Sequence, residues 1–185
     1  MKGKKLIVVN LIGGPGLGKS ILAADLFSAL KKRYIVCDVS WEYIKKKLRE
    51  KALKAVQSQI YIFGKQQFQL YSLKGEVDVA ITDSPILLNC IYDKTHSKPL
   101  RELVLDEFEK YDNMVYRIER DPSQPYETEG RYQDEDGAKE VDKWVVDFME
   151  QNKIKYKNVI GIGPDTLETI VNDVVEKLKQ NETKN

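Results

Sequence analysis

A glycine-rich stretch near the start of the chain carries the residues best suited to hold phosphate. It matches the pattern GxxxxGK[ST], and its members are Gly13, Gly14, Pro15, Gly16, Leu17, Gly18, Lys19 and Ser20. Glycines let successive backbone N–H groups turn toward phosphate oxygens, an approach that Cβ atoms would obstruct. The ammonium of Lys19 suits the β- and γ-phosphates, and the hydroxyl of Ser20 suits Mg²⁺. We therefore predict a site for ATP, or another nucleoside triphosphate, with Mg²⁺.

Acidic residues follow two of the predicted strands. Asp83 ends the third apolar strand, at the edge where ligands collect in open α/β sheets, so it could hold the Mg²⁺ shell. The alternative for Asp83 is a cap on the turn that begins at Ser84. Asp38 and Glu42 follow the second strand, and either could take the proton of an acceptor hydroxyl or orient that hydroxyl. Solvated or capping acids are the alternative for both.

An excursion at residues 120–136 interrupts the apolar pattern of the chain, because it contains no aliphatic residue. Such a segment cannot join a core, and we predict a mobile lid at about residues 120–134. Arg120 and Arg131 flank the excursion and Arg117 precedes it. Arginines that close over phosphates stabilise the transition-state charge and exclude water. We predict catalytic roles for Arg120 and Arg131 and nucleotide binding by Arg117, with surface ion pairs as the alternative.

Strand-like and helix-like segments alternate along the chain. Strands are predicted at residues 6–12, 34–38, 77–82, 114–118 and 156–160, with apolar helical stripes between them. The pattern favours an α/β P-loop NTPase fold with a five-stranded, mainly parallel sheet flanked by helices. We expect one kinase-like domain at residues 1–179 and a frayed tail at 180–185.

The overall composition limits the classes of partner. Lys and Arg total 30 against 29 for Asp and Glu, a formal net charge of +1, so no strong field draws the whole chain to nucleic acid or an anionic membrane. The apolar stretch near the N-terminus is too short for a membrane span, and a soluble cytoplasmic protein is expected. Cys37 and Cys90 are expected to be buried free thiols.

Aromatic residues are frequent around the predicted acceptor region. They are Trp41, Tyr43, Tyr61, Phe63, Phe68 and Tyr71. One or two of them could stack on a nucleobase, and most are expected in the core.

Two absences in the sequence help to select among P-loop reactions. No Asn-Lys-x-Asp guanine-reading motif is present, which disfavours a GTPase, and the third strand ends in Asp83-Ser84 rather than Asp-Glu, which disfavours a remodelling ATPase. A small phosphoryl-transfer kinase is the remaining interpretation.

Four short segments carry a resemblance to a known group. Residues 41–44 look like a Glu-Tyr segment after strand two, residues 62–66 like a glutamine-bearing helix, Asp83-Ser84-Pro85 like a strand-three Asp position, and residues 125–131 like a lid that ends in arginine. With the P-loop, they resemble the small P-loop kinases and AAA-type ATPases that include the nicotinamide riboside kinase domain of bacterial NAD-salvage regulators and phage-type kinases of nucleotides or DNA bases.

The resemblance implies a parallel core, Mg²⁺-dependent use of ATP, and a hydroxyl acceptor on a nucleoside, a nucleotide or a modified base. It also implies that Glu42 is the acceptor-side carboxylate, Asp83 the metal-side carboxylate and Arg131 the lid arginine.

Three functions remain open at this stage. The first is a kinase that phosphorylates a small nucleoside or nucleotide. The second is a kinase that phosphorylates a hydroxymethylated base in DNA, for which the lysines at 45–47, 51 and 54 would supply local positive charge. The third is a regulatory ATPase or nucleotide sensor with no phosphorylated product. A homodimer is also left open.

Overall fold

The sheet contains five parallel strands. The computed structural model describes residues 5–44, 50, 52–123 and 135–183. Its strands are β1 (Ile7–Ile12), β2 (Cys37–Ser40), β3 (Val79–Thr82), β4 (Asp112–Glu119) and β5 (Lys157–Ile160). Their order across the sheet is β2-β3-β1-β4-β5, and every neighbouring pair is parallel. The predicted α/β class and the five-stranded sheet are confirmed.

Helices cover both faces of this sheet. Those within the described ranges are α1 (Lys19–Lys32), α2 (Leu53–Gln57), α3 (Gln59–Leu73), α4 (Leu88–Ile91), α5 (Lys98–Glu109), α6 (Glu135–Gln151) and α7 (Pro164–Glu182). On one face, α1 and α7 pack against alternate residues of the central strand, including Val9 and Leu11. On the other face, α3, α5 and α6 pack against Val8 and Ile12. The three-layer arrangement leaves the carboxyl ends of the strands to form a site.

The second strand lies further along the chain than its sequence pattern predicts. The structure places β2 at Cys37–Ser40, whereas residues 34–38 were expected, so that expectation is wrong. Helix α1 ends in a turn in which Tyr34 has φ 60° and the Ile35 amide donates to the Leu30 carbonyl at 3.1 Å. This hydrogen bond is typical of a Schellman cap. The residues that form the cap cannot also pair with a neighbouring strand. Asp38 therefore lies inside β2 rather than at its end.

The last helix also differs from expectation. Helix α7 continues to Glu182, whereas a frayed tail was predicted from residue 180. The Asn181 amide donates to Asp112 on β4 at 3.4 Å, and the neighbouring Lys177 forms an ion pair with the same carboxylate at 2.8 Å. These contacts hold the final turn of α7 against the sheet.

The aromatic residues near the acceptor region are mostly exposed, which corrects the expectation that most belong to the core. Phe63 is buried. The exposed ones are Trp41, Tyr61, Phe68 and Tyr71. Tyr43 is half-buried, and its ring meets that of Tyr61 edge-on with the two hydroxyls 2.7 Å apart. Only one face of α3 packs on the sheet, so aromatic side chains on its other face remain in solvent.

Two further expectations can be compared with the described part of the chain. Cys37 is a buried free thiol, whereas the free thiol of Cys90 is only partly buried. No helix in the described ranges combines the length and apolar character needed to cross a membrane.

Candidate active site

The carboxyl ends of the five strands supply the candidate site. Residues 13–18 follow β1, Glu42 follows β2, Asp83 follows β3, Arg120 follows β4 and residues 161–163 follow β5. Parallel strands bring these ends to one edge of the sheet. Segments that are distant in sequence therefore meet around the glycine-rich loop.

The glycine-rich loop joins β1 directly to the N-terminus of α1. Gly18 is the N-cap of α1 and has φ 71°, a conformation that glycine adopts without strain. A Cβ atom at Gly18 would lie 2.6 Å from Cδ1 of Ile162, so the loop packs closely on the segment after β5. The Lys19 ammonium donates to the carbonyl of Gly13 at 2.9 Å and to that of Gly14. The predicted loop residues therefore form a strand–loop–helix unit with positive charge at its centre.

A hydrogen-bonded chain links this loop to the ends of β3 and β2. The Ser20 hydroxyl donates to Oδ2 of Asp83 at 2.5 Å. The other carboxylate oxygen, Oδ1 of Asp83, accepts from the backbone N–H of Glu42 at 2.8 Å. Asp83 is only 2% exposed, so its charge is held by these donors rather than by bulk water. The structure thus brings together three of the residues singled out from the sequence.

The donor set fits a magnesium ion. Mg²⁺ in nucleotide sites is held by one or two protein oxygens together with phosphates and water. The Ser20 hydroxyl and the Asp83 carboxylate could provide hard oxygen ligands beside the N-terminus of α1, where the helix dipole also favours phosphate.

Asp38 is placed differently from Glu42. It lies inside β2, where it pairs with Ala80 in the register of the sheet. Its carboxylate is exposed and accepts a bond from the backbone N–H of Val39 at 2.7 Å. The described contacts link Glu42, but not Asp38, to Asp83.

The structure describes two of the three predicted arginines. Arg120 lies against the glycine-rich loop, where its Nη2 donates to the carbonyl of Pro15 at 3.0 Å. Arg117 donates instead to Glu119 at 2.5 Å and to Asn158 on β5 at 3.2 Å. Arg131 and most of the predicted lid lie outside the described residues.

The first residues of the predicted lid segment, which the structure describes as far as Ser123, follow β4. Hydrogen bonds from the hydroxyl and the amide of Ser123 lower the pKa of Asp121. Gly161, after β5, has φ 60°, and a Cβ atom there would lie 3.2 Å from Cβ of Asp121. The loops after β4 and β5 therefore pack closely at this corner of the site.

A buried polar network supports the turn that carries Asp83. Gln66, on α3, donates to the Ser84 carbonyl at 3.1 Å and to its hydroxyl at 2.8 Å. The side-chain oxygen of Gln66 accepts from Asn89 at 2.7 Å, and Asn89 also donates to the Ile86 carbonyl at 2.9 Å. Gln66, Ser84 and Asn89 are all buried. Polar groups that are buried and bonded in this way fix the backbone path after β3.

Sequence reasoning missed two residues at the loop, Asp142 and Ile162. The carboxylate of Asp142 accepts from the backbone N–H of Gly14 at 2.7 Å, and Ile162 covers Gly18. The contact with Asp142 joins residues 128 positions apart, and no local pattern reports such a contact. For Ile162, the sequence did offer one signal. This residue follows the fifth strand, and the carboxyl ends of the strands were already expected to form the site.

Comparisons with solved structures agree with the fold of this chain. A deoxyadenosine kinase from M. mycoides with bound dCTP matches the structure with a TM-score of 0.51 and 16% sequence identity, over 94% of this chain and 99% of that chain. The deoxyadenosine kinase from M. mycoides with the products dCMP and dCDP gives a TM-score of 0.52 and 17% identity, over 92% and 100%. At these identities the likeness is one of fold.

A search of curated proteins gives no match to this chain. A family model described as the AAA domain matches residues 8–164, which include the loop, Asp83 and all of the sheet except Ile7 at the start of β1. The small P-loop kinase and AAA group expected from the sequence is thereby supported, and the chain belongs to the AAA domain family.

Proposed function

We propose that this protein is a kinase that transfers the γ-phosphoryl group of ATP, with Mg²⁺, to a hydroxyl of a nucleoside, a nucleotide or a related small molecule. The observation that carries the proposal is the chain of hydrogen bonds from Ser20 through Asp83 to the backbone of Glu42. It connects a metal-side pair of oxygens to the backbone of the residue that follows the neighbouring strand, and that residue carries the second carboxylate. A nucleotide sensor would need only the first of these features, whereas phosphoryl transfer to a hydroxyl uses both.

Each residue has a defined task in the proposed reaction. Lys19 leaves the carbonyls of Gly13 and Gly14 and binds the β- and γ-phosphates. Ser20 and Asp83 would hold Mg²⁺, which when bound would neutralise charge on the phosphates. The Glu42 carboxylate accepts the proton of the acceptor hydroxyl. Because the oxygen of that hydroxyl forms a bond to the γ-phosphorus as the β–γ bridging bond breaks, the products are ADP and a phosphorylated acceptor.

Arginines complete the proposed site. Arg120 already contacts the loop through Pro15, so its guanidinium is close to where charge would develop during transfer. We retain Arg131 as the lid arginine and Arg117 as a weaker candidate for nucleotide binding, since Arg117 bonds to Glu119 and Asn158. Glu42 is preferred to Asp38 as the acceptor-side carboxylate because its backbone is tied to Asp83.

The acceptor class follows from chemistry and from a structural likeness. A deoxyadenosine kinase shares this fold, and its solved structure is described as holding the products dCMP and a flexible dCDP. That likeness makes deoxynucleosides the first acceptors to test. Ribonucleosides, nucleoside monophosphates and DNA containing hydroxymethylated bases are the next.

The test is transfer of labelled phosphate. The protein is incubated with γ-labelled ATP and Mg²⁺ and, separately, with pools of nucleosides, monophosphates and duplex DNA. The proposal expects label on a nucleoside or a monophosphate, and no transfer by the Lys19→Ala variant. Label on DNA would instead support the base-kinase alternative, and release as free phosphate in every pool would support a regulatory ATPase.

A further inference from the structure

A carboxylate on α6 reaches the glycine-rich loop from outside the predicted site. Oδ1 of Asp142 accepts from the backbone N–H of Gly14 at 2.7 Å, and Oδ2 accepts from Nε of Arg120 at 2.7 Å. The same guanidinium donates through Nη2 to the carbonyl of Pro15 at 3.0 Å. Asp142 and Arg120 therefore bind two consecutive residues of the loop and each other, which closes a ring of hydrogen bonds.

The fit around this ring is close. A Cβ atom at Gly14 would lie 2.5 Å from Oδ1 of Asp142 and 2.6 Å from the carbonyl oxygen of Ala138. The side chains of Arg120 and Asp142 are 22% and 18% exposed, so water screens their ion pair only in part. Charge-assisted hydrogen bonds at such a site are stronger than exposed ones. The first turn of the loop is therefore fastened to α6 by bonds that hold its backbone in one conformation.

The pairing also solves an electrostatic problem. A carboxylate beside a phosphate-binding loop would repel a triphosphate unless a cation neutralised it. Arg120 supplies that cation while it contacts the loop itself. If Arg120 alone were removed, Asp142 would remain as an uncompensated charge of low exposure, which is more costly than removal of both charges.

We propose that Asp142 is a positioning residue for the triphosphate donor: it fixes the Gly14 peptide and orients Arg120 at the loop. The inference rests on the proposed function only in that the loop binds a nucleoside triphosphate. It predicts that donor binding depends on Asp142 even though this side chain need not touch the nucleotide.

The test measures the Kd of Mg²⁺·AMP-PNP, a non-hydrolysable ATP analogue, by isothermal titration calorimetry. Asp142→Ala should weaken binding by about 10- to 100-fold, by analogy with the loss of residues that orient the ligands of a metal site. Asp142→Asn keeps an oxygen for the Gly14 amide but presents an amide nitrogen to Arg120, so a smaller loss is expected. Asp147→Asn, a substitution of an exposed aspartate on the same helix, is the matched control and should bind like the parent.

A double variant separates positioning from general stability. Arg120→Ala should bind AMP-PNP more weakly than Arg120→Ala combined with Asp142→Asn, because the second change removes the repelling charge. A pair that only stabilised the fold would let the double variant regain stability in urea denaturation while its Kd for Mg²⁺·AMP-PNP stayed at the value of the single variant. If Asp142→Ala does not fold, Asp142→Asn and the double variant carry the test.

The outcomes distinguish a failure of the proposed role of Asp142 from a failure of the proposed function. Parent-like Kd values for both Asp142 variants, with normal binding by the parent protein, would overturn the role of Asp142 and leave the proposed function intact. No recovery of affinity in the double variant would also overturn it. Failure of the parent protein itself to bind Mg²⁺·AMP-PNP would overturn the proposed function together with this inference.

Discussion

Ser20 and Asp83 are joined by a hydrogen bond of 2.5 Å between the hydroxyl at the start of α1 and Oδ2 of the carboxylate after β3. The two residues are 63 positions apart in the chain, and the parallel pairing of β1 with β3 brings them together. Because Oδ1 of the same carboxylate accepts from Glu42, one side chain fixes the relative positions of three strand ends. A displacement of Asp83 would therefore disturb both the metal side and the acceptor side of the proposed site.

Asp83→Asn tests the metal side. The amide keeps the size of the side chain but loses the negative charge that favours Mg²⁺. We expect turnover to fall by about 100-fold at a fixed Mg²⁺ concentration and to recover in part at higher concentration. The measurement is kcat as a function of Mg²⁺, with Asp25→Asn, an exposed aspartate on α1, as the control. Unchanged turnover and an unchanged Mg²⁺ requirement would rule out the metal role of Asp83.

Glu42→Gln tests the acceptor side. The substitution removes the proposed base while the backbone N–H that binds Asp83 remains. We expect kcat to fall by about 10²- to 10⁴-fold, the usual contribution of a general base, with an unaltered Kd for Mg²⁺·AMP-PNP. Asp38→Asn should stay close to the parent in kcat, because Asp38 lies inside β2. A loss of kcat in Asp38→Asn with normal kcat in Glu42→Gln would reverse this assignment.

Residues whose contacts are local or set by strand order could be predicted from the sequence. The GxxxxGK[ST] pattern identifies Gly13–Ser20 because strand, loop and helix follow one another along the chain. Asp83 could be predicted because it directly follows an apolar strand. The loop and Asp83 can then be expected to lie close together, because ligand-binding residues collect at the carboxyl edge of parallel sheets.

Other features depend on contacts that no local pattern reports. The second strand is predicted to begin at Tyr34, yet in the structure Tyr34 belongs to the cap of α1 and not to the sheet. Asp142 reads as an ordinary acid on an amphipathic helix, and only the packing of α6 beside the loop gives it a partner in Gly14. Phe68 is apolar, but its residue type alone does not show whether it lies on the buried or the exposed side of α3. The structure places it on the exposed side.

The pH dependence of thiol reactivity tests the environment of Cys90. Burial raises the pKa of this thiol to about 11, and the nearby Arg101 opposes the shift only in part. Since the thiolate is the reactive form, alkylation at about pH 8 should be roughly 100-fold slower in the native protein than in the unfolded one. Peptide mapping by mass spectrometry after iodoacetamide labelling separates Cys90 from Cys37. A native labelling rate that stops rising near pH 9 would contradict the raised pKa.

The same shift has a consequence for stability. The folded state holds the Cys90 proton more tightly than the unfolded state, in which the thiol has its ordinary pKa of 9.0. The stabilisation is therefore fully present below pH 9 and is lost as pH rises toward 11. The free energy of unfolding should fall more steeply over this range in the parent than in Cys90→Ala, as measured by urea denaturation at several pH values. Parallel pH profiles of the free energy of unfolding for the two proteins would contradict a contribution from Cys90.

Gln66→Leu tests whether the buried network holds the turn after β3. Leucine has a similar size, but it leaves the Ser84 carbonyl and hydroxyl without the amide that now binds them. Loss of a partner at a buried polar group costs about 1–3 kcal/mol, so the free energy of unfolding in urea should fall by that order. Gln151→Leu, at an exposed position at the end of α6, should change it little.

The effect of Gln66→Leu on turnover distinguishes a local role from a general one. Because Ser84 directly follows Asp83, a turn that is free to shift should weaken the Ser20–Asp83 contact and raise the Mg²⁺ concentration needed for half-maximal turnover. Asn89→Leu removes the amide that binds the other end of Gln66 and should shift the same requirement in the same direction, but less. If both variants lost stability while their Mg²⁺ requirement stayed at the parent value, the network would support the fold without positioning Asp83.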